Sequence, residues 1–370
     1  MKIAADIDIP FLKGESERFA DEVAYFSSSD FCRDVIADAD AIIVRTPDCC
    51  DEKALYGTRV KFIATASVGF DHIDIDYCNR HGIGWANAPG ANAGSVGQYL
   101  LSALIRLSLK SDFELKGKTI GLIGVGNAGK AVASVCRAWG LNVLLNDPPR
   151  AEKEGAEAFV SLGAICDECD IVSFHTPLTK TGNHKTCHLA GQPFFDSLRK
   201  KPIFINAARG GINDSEALKG AIKTGKISAA VIDCWEGEPL IDAELLALAD
   251  VATPHIAGFS FDGKANGTQM AIDAVKKFFR VNLPGFQADL PMPEEPTIDL
   301  SHFPCDRRLE YAVLHTLDTT VVDSALKSSP REFESIRSRY ENPREFKAYT
   351  VLNATSDEQH LLQALGFKLG

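Results

Sequence analysis

The stretch from Lys118 to Arg150 constrains this chain more than any other part of it. It opens on a short apolar run, Thr119 to Gly124, of the length expected for a strand buried on both faces. Gly124-Val125-Gly126-Asn127-Ala128-Gly129 follows, then a helical run from Ala131 to Trp139, then a second apolar run, Leu141 to Leu145, closed by Asp147. Strand, glycine turn, helix, strand and terminal acid is the order a bound dinucleotide requires. Gly124 permits the tight turn, Gly126 lets backbone approach a pyrophosphate, and Gly129 lets the helix pack closely on the strand. Asn127 and Ala128 lie in the turn that leads into the helix, whose N–H groups and dipole suit phosphate. Asp147 is placed to accept from both ribose hydroxyls and to repel a 2′-phosphate, so NAD is expected rather than NADP. Arg150 argues the other way but comes after the acid. A glycine-rich turn is a weak signal by itself; in this company it is a strong one.

The bulk properties narrow the alternatives. With 370 residues the chain is expected to hold two or three domains. Its net charge of −11 leaves no basic excess to neutralise phosphates, so no nucleic-acid partner is expected. No apolar run approaches membrane-spanning length, and Met1-Lys2-Ile3-Ala4-Ala5 runs into Asp6 without a leader pattern, so no membrane association is expected. Ten cysteines without a leader read as reduced thiols of a cytoplasmic protein. Cys166 and Cys169 form a single CxxC with no second pair, and no HExxH occurs, so no metal is expected.

The fold class is α/β. Residues 1–92 alternate short apolar runs (Lys2–Ala5, Val23–Phe26, Ala41–Arg45, Phe62–Ser67, Ile83–Asn87) with helical stretches at Lys13–Asp21, Asp30–Asp38, Asp51–Tyr56 and Asp74–His81. That succession predicts a parallel, flavodoxin-like sheet. A helix over Asn92–Leu109, apolar on one face, leads into a Rossmann domain of seven or so strands over 93–258. A helix over Gly267–Phe279 returns the chain to the first domain, which therefore comprises 1–92 and 259–285. Beyond the proline-marked linker Pro284–Pro296, residues 286–370 predict a small α+β unit: helices over Leu309–Leu326 and Arg331–Tyr340, a strand over Phe346–Leu352 and a closing helix over Ser356–Leu365. It carries no catalytic signal and is expected to make a homodimer.

Polar residues that a fold alone would not require cluster at strand ends. Ile205-Asn206-Ala207-Ala208-Arg209 delivers a guanidinium, Ile232-Asp233 through Glu238 delivers the carboxylates of Asp233 and Glu238, and Thr253-Pro254-His255 delivers an imidazole. Near a nicotinamide these are the parts needed to oxidise a 2-hydroxy acid. The imidazole takes the hydroxyl proton, the carboxylate favours the imidazolium, and the guanidinium binds the substrate carboxylate. In the first domain, Arg45-Thr46-Pro47 and Thr65-Ala66-Ser67 end strands where ligands gather, and Thr46 and Ser67 divide evenly between substrate contact and turn capping.

The ordered series GVGNAGK, FHTPLT, NAARGG, DCWEGEPL and TPHIAG resembles the D-2-hydroxyacid dehydrogenase family over residues 1 to about 285. The resemblance implies Arg209 and Glu238 as a catalytic pair with His255 as proton donor. It implies NAD contacts from Asp147, Thr176, Asp233 and Gly258, with Asp233 at the carboxamide. Asp147-Pro148-Pro149-Arg150, Lys185-Thr186-Cys187-His188-Leu189, Gly263-Lys264 with Gly267-Thr268, and the C-terminal extension resemble a branch acting on a small phosphorylated hydroxy acid. In that branch Thr46, Ser67 and residue 259 contact substrate, and Phe259 stands where relatives have Tyr, removing a phenol hydrogen bond. Arg45, Lys185 and Lys264 are candidates for the phosphate. A phosphoglycerate-type relative, and a scaffold that senses NAD without turnover, are the alternatives.

Overall fold

Short apolar runs become parallel strands wherever both faces are covered. The structure is a computed structural model describing residues 1–111 and 113–370. It divides into two compact units, Met1–Asn92 with Ser260–Pro291, and Ala93–Phe259 with Met292–Gly370.

In the first unit β1 (Lys2–Asp6), β2 (Glu22–Phe26), β3 (Ala41–Val44), β4 (Phe62–Thr65) and β5 (Gly84–Ala86) form a sheet of order β2-β1-β3-β4-β5. All pairs are parallel, in the flavodoxin-like order. β3 and β4 are buried along their whole length, which is why they read as continuous apolar runs. The intervening helices are shorter than the sequence predicts. Lys13–Asp21 yields only the 3-10 turn Ser16–Arg18, because Gly14 takes φ +90° and breaks the run at its start. Asp30–Asp38 reduces to Arg33–Ile36 after a 3-10 turn, whereas Ile75–His81 persists, capped by the Asp74 side chain and ended by Gly82 at φ +68°. The helix Phe261–Phe278 starts six residues before the predicted Gly267, because the Ser260 hydroxyl caps it by accepting from Gly263 N–H at 2.8 Å. At Gly267 it comes close to the loop after β4: a Cβ there would lie 2.3 Å from the Ala66 carbonyl oxygen.

In the second unit β6 (Thr119–Ile123), β7 (Asn142–Asn146), β8 (Ile171–Phe174), β9 (Ile203–Asn206), β10 (Ala229–Ile232) and β11 (Val251–Ala252) form a parallel sheet of order β11-β10-β9-β8-β6-β7. Among the described residues this is a Rossmann sheet with six strands rather than seven. Between β7 and β8 the chain forms the helices Pro148–Glu154 and Leu162–Glu168 and adds no strand outside β7. The chain leaves β6 for β7 on one side and returns to β8 on the other, so the switch point lies at the carboxyl end of β6, directly over the glycine turn.

The helix Ala93–Ser111 is buried around most of its circumference, not on one face. It lies between the helix Asn127–Ala138 and the C-terminal segment, and its polar residues are satisfied inside. Gln98 donates to Thr316 Oγ1 at 3.0 Å and to the Arg344 carbonyl at 3.1 Å, and Ser102 donates to the Leu317 carbonyl at 2.6 Å. The apolar core of β6 continues into Ile298, Val313, Val351 and Leu362. The predicted helix Leu309–Leu326 is two helices, Arg308–Thr316 and Thr320–Ser328, because Asp318 accepts from Thr320 N–H at 2.9 Å and restarts the chain. Phe346–Ala348 is a 3-10 turn ahead of β13 (Thr350–Leu352). β13 pairs with β12 (Thr297–Asp299) and β14 (Lys368–Leu369), two strands too short to leave a pattern in the sequence. Among the described residues no helix is long and apolar enough to cross a membrane.

Candidate active site

Three demands meet at the glycine turn. Gly124 takes φ +89°, and a Cβ on it would lie 2.8 Å from Thr176 N. A Cβ on Gly129 would lie 2.2 Å from the Gly124 carbonyl oxygen, so helix and turn touch through backbone. Around Gly126 a Cβ would meet nothing within 4 Å among the described residues. The protein therefore needs glycine at 124 and 129 for its own packing, whereas at 126 the room is left for a ligand. Gly126 caps the helix Asn127–Ala138 without any side-chain hydrogen bond, and Thr176 Oγ1 is buried with no partner among the described residues. Open backbone at a helix start beside an unmet buried hydroxyl fits a dinucleotide pyrophosphate.

Asp147 stands at the end of β7 as predicted. Its Oδ2 accepts from Val125 N–H at 2.8 Å and its Oδ1 from Arg150 N–H at 3.1 Å, leaving lone pairs for a ribose. Arg150 is committed elsewhere. It donates to both Glu154 carboxylate oxygens at 2.9 and 2.6 Å and to the Val125 carbonyl at 2.6 Å, and its guanidinium lies 5.2 Å from the centre of the Phe159 ring. His175, beside Thr176, is half-buried, and desolvation lowers its pKa to about 4.

The catalytic candidates follow from strand register. Asn206 aligns with Ile232, and Ile232 with Ala252, across three neighbouring strands. Arg209 and His255 each follow three residues later in the chain, on strands two spacings apart, about 10 Å. Asn206 shapes the first loop: its amide donates to the Arg209 carbonyl at 2.9 Å and to Asn213 Oδ1 at 2.7 Å, while its oxygen accepts from Ala208 N–H at 3.1 Å. Gly210 brings that loop against the next, since a Cβ there would lie 1.9 Å from the Trp235 carbonyl oxygen. Arg209 itself donates from Nη1 to the Ala208 carbonyl at 2.8 Å.

Glu238 and His255 are joined directly, Nδ1 to Oε1 at 2.6 Å, and the other Glu238 oxygen accepts from Trp235 N–H at 3.1 Å. Burial opposes ionisation of Glu238. Its hydrogen bonds from His255 and Trp235, with the charges of His255 and Arg337, outweigh this and hold its pKa below the ordinary carboxyl value. A carboxyl depressed in the folded state stabilises the fold above its unfolded pKa and ceases to do so as pH falls through the folded value. His255 occupies the left-handed region at φ +56°, which a non-glycine residue adopts only where the surroundings enforce it. Those surroundings are Asp233. Its carbonyl accepts from His255 N–H at 2.8 Å. Its fully buried carboxylate accepts from Thr253 Oγ1 at 2.6 Å, Ile256 N–H at 2.7 Å and Ala257 N–H at 3.0 Å. Tyr99 continues the chain, its hydroxyl 2.6 Å from Thr253 Oγ1. Tyr99 does not stand out in the sequence, because it acts through Thr253 rather than in a motif, and Asn206 shows there only as the first residue of NAARGG. Gly258 and Phe259 follow the histidine loop and are half-buried.

In the first unit Thr46 and Ser67 come together as neighbours in register. Val44 aligns with Thr65, each hydroxyl follows two residues later, and Thr46 Oγ1 donates to Ser67 Oγ at 3.2 Å. Arg45 is already paired with two carboxylates, Asp6 and Asp8. Lys185 is exposed and Lys264 half-buried.

The six-stranded sheet, the glycine turn and the Arg, Glu and His at adjacent strand ends define a dehydrogenase of 2-hydroxy acids, and residues 105–257 match the family described as D-isomer specific 2-hydroxyacid dehydrogenase, NAD binding domain. The NAD+-bound 3-phosphoglycerate dehydrogenase of Entamoeba histolytica superposes with a TM-score of 0.65 at 27% identity, covering 78% of this chain and 98% of that one. The erythronate-4-phosphate dehydrogenase of Porphyromonas gingivalis is 47% identical over 369 residues, 99% of this chain and all of that protein. That of Yersinia pestis is 36% identical over 374 residues, 99% of each. This chain belongs to the erythronate-4-phosphate dehydrogenase family.

Proposed function

We propose that the protein oxidises 4-phospho-D-erythronate at C2, with NAD as acceptor, to 2-oxo-3-hydroxy-4-phosphobutanoate, a step of pyridoxal 5′-phosphate biosynthesis. One observation carries this reading. The 2.6 Å Glu238–His255 pair ends strands beside the Arg209 loop, in a chain nearly half identical, end to end, to a relative named for this substrate.

NAD, when bound, supplies the hydride acceptor. Gly124, Gly126, Asn127, Ala128 and Gly129 hold its pyrophosphate, Asp147 its ribose, and Thr176, Asp233 and Gly258 complete the contacts. Asp233 has limited freedom for this, because its carboxylate already holds the histidine loop and also accepts a long 3.9 Å bond from Cys234 Sγ, the contact a carboxamide would have to displace. Arg209 binds the substrate carboxylate and polarises the C2 oxygen. His255 Nε2 removes the C2 hydroxyl proton as hydride leaves the same carbon, and returns it in the reverse direction. Glu238, ionised and bonded to Nδ1, fixes the tautomer and stabilises the imidazolium. Thr46 and Ser67 hydrogen-bond the substrate. Phe259 contributes its ring without a phenol hydroxyl.

Offered the phosphorylated four-carbon acid and 3-phosphoglycerate side by side with NAD, the protein is expected to reduce NAD with the first at least about tenfold more efficiently in kcat/KM, the least a lost charged contact produces. Equal or reversed preference would move the substrate to the phosphoglycerate type, and NAD binding without turnover of either would favour a scaffold.

Residues 286–370 form the dimerisation module, supported by apolar side chains left outside on its two adjoining helices, Val321 at 81% and Tyr311 at 38% exposure. Sedimentation of the full chain is expected to give twice the 40.1 kDa monomer mass; a monomer at micromolar concentration contradicts this. The ten free cysteines support a cytoplasmic location.

A further inference from the structure

The C-terminal segment is not confined to the back of its unit. Its helix Phe333–Ser338 carries Arg337, whose guanidinium carbon lies 5.5 Å from the centre of the Phe259 ring, immediately after the histidine loop. Its charge reaches Glu238 and Cys234 and acts on the ionisation of both. The side chain is 25% exposed, so it borders a surface a small molecule can reach.

What the fold asks of Arg337 is little. Its Nε is buried with no hydrogen-bond partner among the described residues, and Nη1 approaches Glu334 only at 3.6 Å, with that carboxylate 60% exposed. Glu238 does not engage the unmet donor: its hydrogen bonds come from His255 and Trp235, and none comes from Arg337 Nε. Arginines retained for structure have their buried donors paired. A guanidinium beside the acid–base pair, held by a ring face and keeping an unmet donor, is prepared for an anion that is not part of the chain.

We propose that Arg337 binds the phosphate group of the substrate. The inference rests on the reading that the substrate is a phosphorylated hydroxy acid. Such a molecule has two anionic ends, and Arg209 accounts for only the carboxylate. A guanidinium fork matches phosphate oxygens in pairs. Among the sequence candidates, Arg45 is neutralised by Asp6 and Asp8, which would compete with and repel a phosphate dianion, and Lys185 is exposed. Phe259 gains a purpose here: a phenyl ring in place of phenol offers a face on which the guanidinium rests. The signal is invisible in sequence because Arg337 lies in an ordinary charged helix, Arg331 to Tyr340, far along the chain from every motif.

The test compares full-length wild type, Arg337→Gln and Arg337→Lys on 4-phospho-D-erythronate and on D-erythronate, the same acid without phosphate. The quantity read is the ratio of kcat/KM between the two acids. With Gln the ratio is expected to fall about 30-fold or more, the loss of a charged hydrogen-bond pair, mainly through KM. With Lys, which keeps the charge but not the fork, it is expected to fall by an intermediate amount. NAD titration and thermal melting verify that each variant is folded, and Lys carries the comparison if Gln does not fold. Equal losses on both acids, or a ratio within about threefold of wild type, would overturn the assignment while leaving the proposed reaction standing. A wild type that oxidises neither acid would overturn the reaction itself, and this inference with it.

Discussion

Replacing His255 with Gln is expected to lower kcat about a thousandfold while NAD affinity and melting temperature stay near wild type. The magnitude is that of a positioned general acid–base group. Glutamine fills similar space and carries its amide nitrogen near the position of Nε2, but it cannot take and return a proton at the substrate hydroxyl. The loop should survive the change, because it is held by the Asp233 carboxylate through Thr253, Ile256 and Ala257 rather than by the imidazole. Steady-state kinetics with calorimetric NAD titration separate the two effects. A kcat within about tenfold of wild type would remove His255 from the chemistry.

Gly129→Ala is expected to weaken NAD binding about 10- to 100-fold and to lower the melting temperature as well. A methyl group at this position would sit 2.2 Å from the Gly124 carbonyl oxygen, well inside contact distance, so helix and turn must separate. Overpacking of this kind costs about 1–3 kcal/mol, and the displaced backbone is the same that is proposed to hold the pyrophosphate. Gly126→Ala is the informative partner. Its methyl group meets no described protein atom within 4 Å and its φ of −72° suits alanine, so the free protein should melt as wild type while NAD binding alone weakens. Should Gly126→Ala bind NAD normally, the room above that residue does not belong to the coenzyme.

These glycines show which kind of information the sequence holds. The spacing of Gly124, Gly126 and Gly129 announces a turn that backbone sterics alone enforce at two of the three positions; β6 before it is readable because it is a buried apolar run, and β7, a part-buried edge strand, through Val143–Leu145. His255, Glu238 and Arg209 are legible for a related reason, each being delivered by an apolar strand into a short polar loop. The helices of the first unit are less so. Lys13–Asp21 and Asp30–Asp38 promise more helix than forms, since Gly14 at φ +90° interrupts the first and a 3-10 turn at Ser28–Asp30 delays the second to Arg33. Gln98 and Ser102 mislead in the other direction: as polar residues they imply an exposed helix face, but their hydrogen bonds to Thr316, Arg344 and Leu317 bury that face under the C-terminal segment. Contacts made across more than two hundred residues leave no local pattern to read, and Arg337, far along the chain from Phe259 and Glu238, is hidden in the same way.

The most direct measurement follows a label. 4-Phospho-D-erythronate deuterated at C2 is mixed with NAD and a stoichiometric amount of wild-type protein, and the nicotinamide of the NADH formed is examined by mass spectrometry and NMR. The account predicts that deuterium moves wholly to the coenzyme, and that the same transfer in the His255→Gln variant is slowed by about three orders of magnitude. NADH without the label, or label released into water, would contradict it.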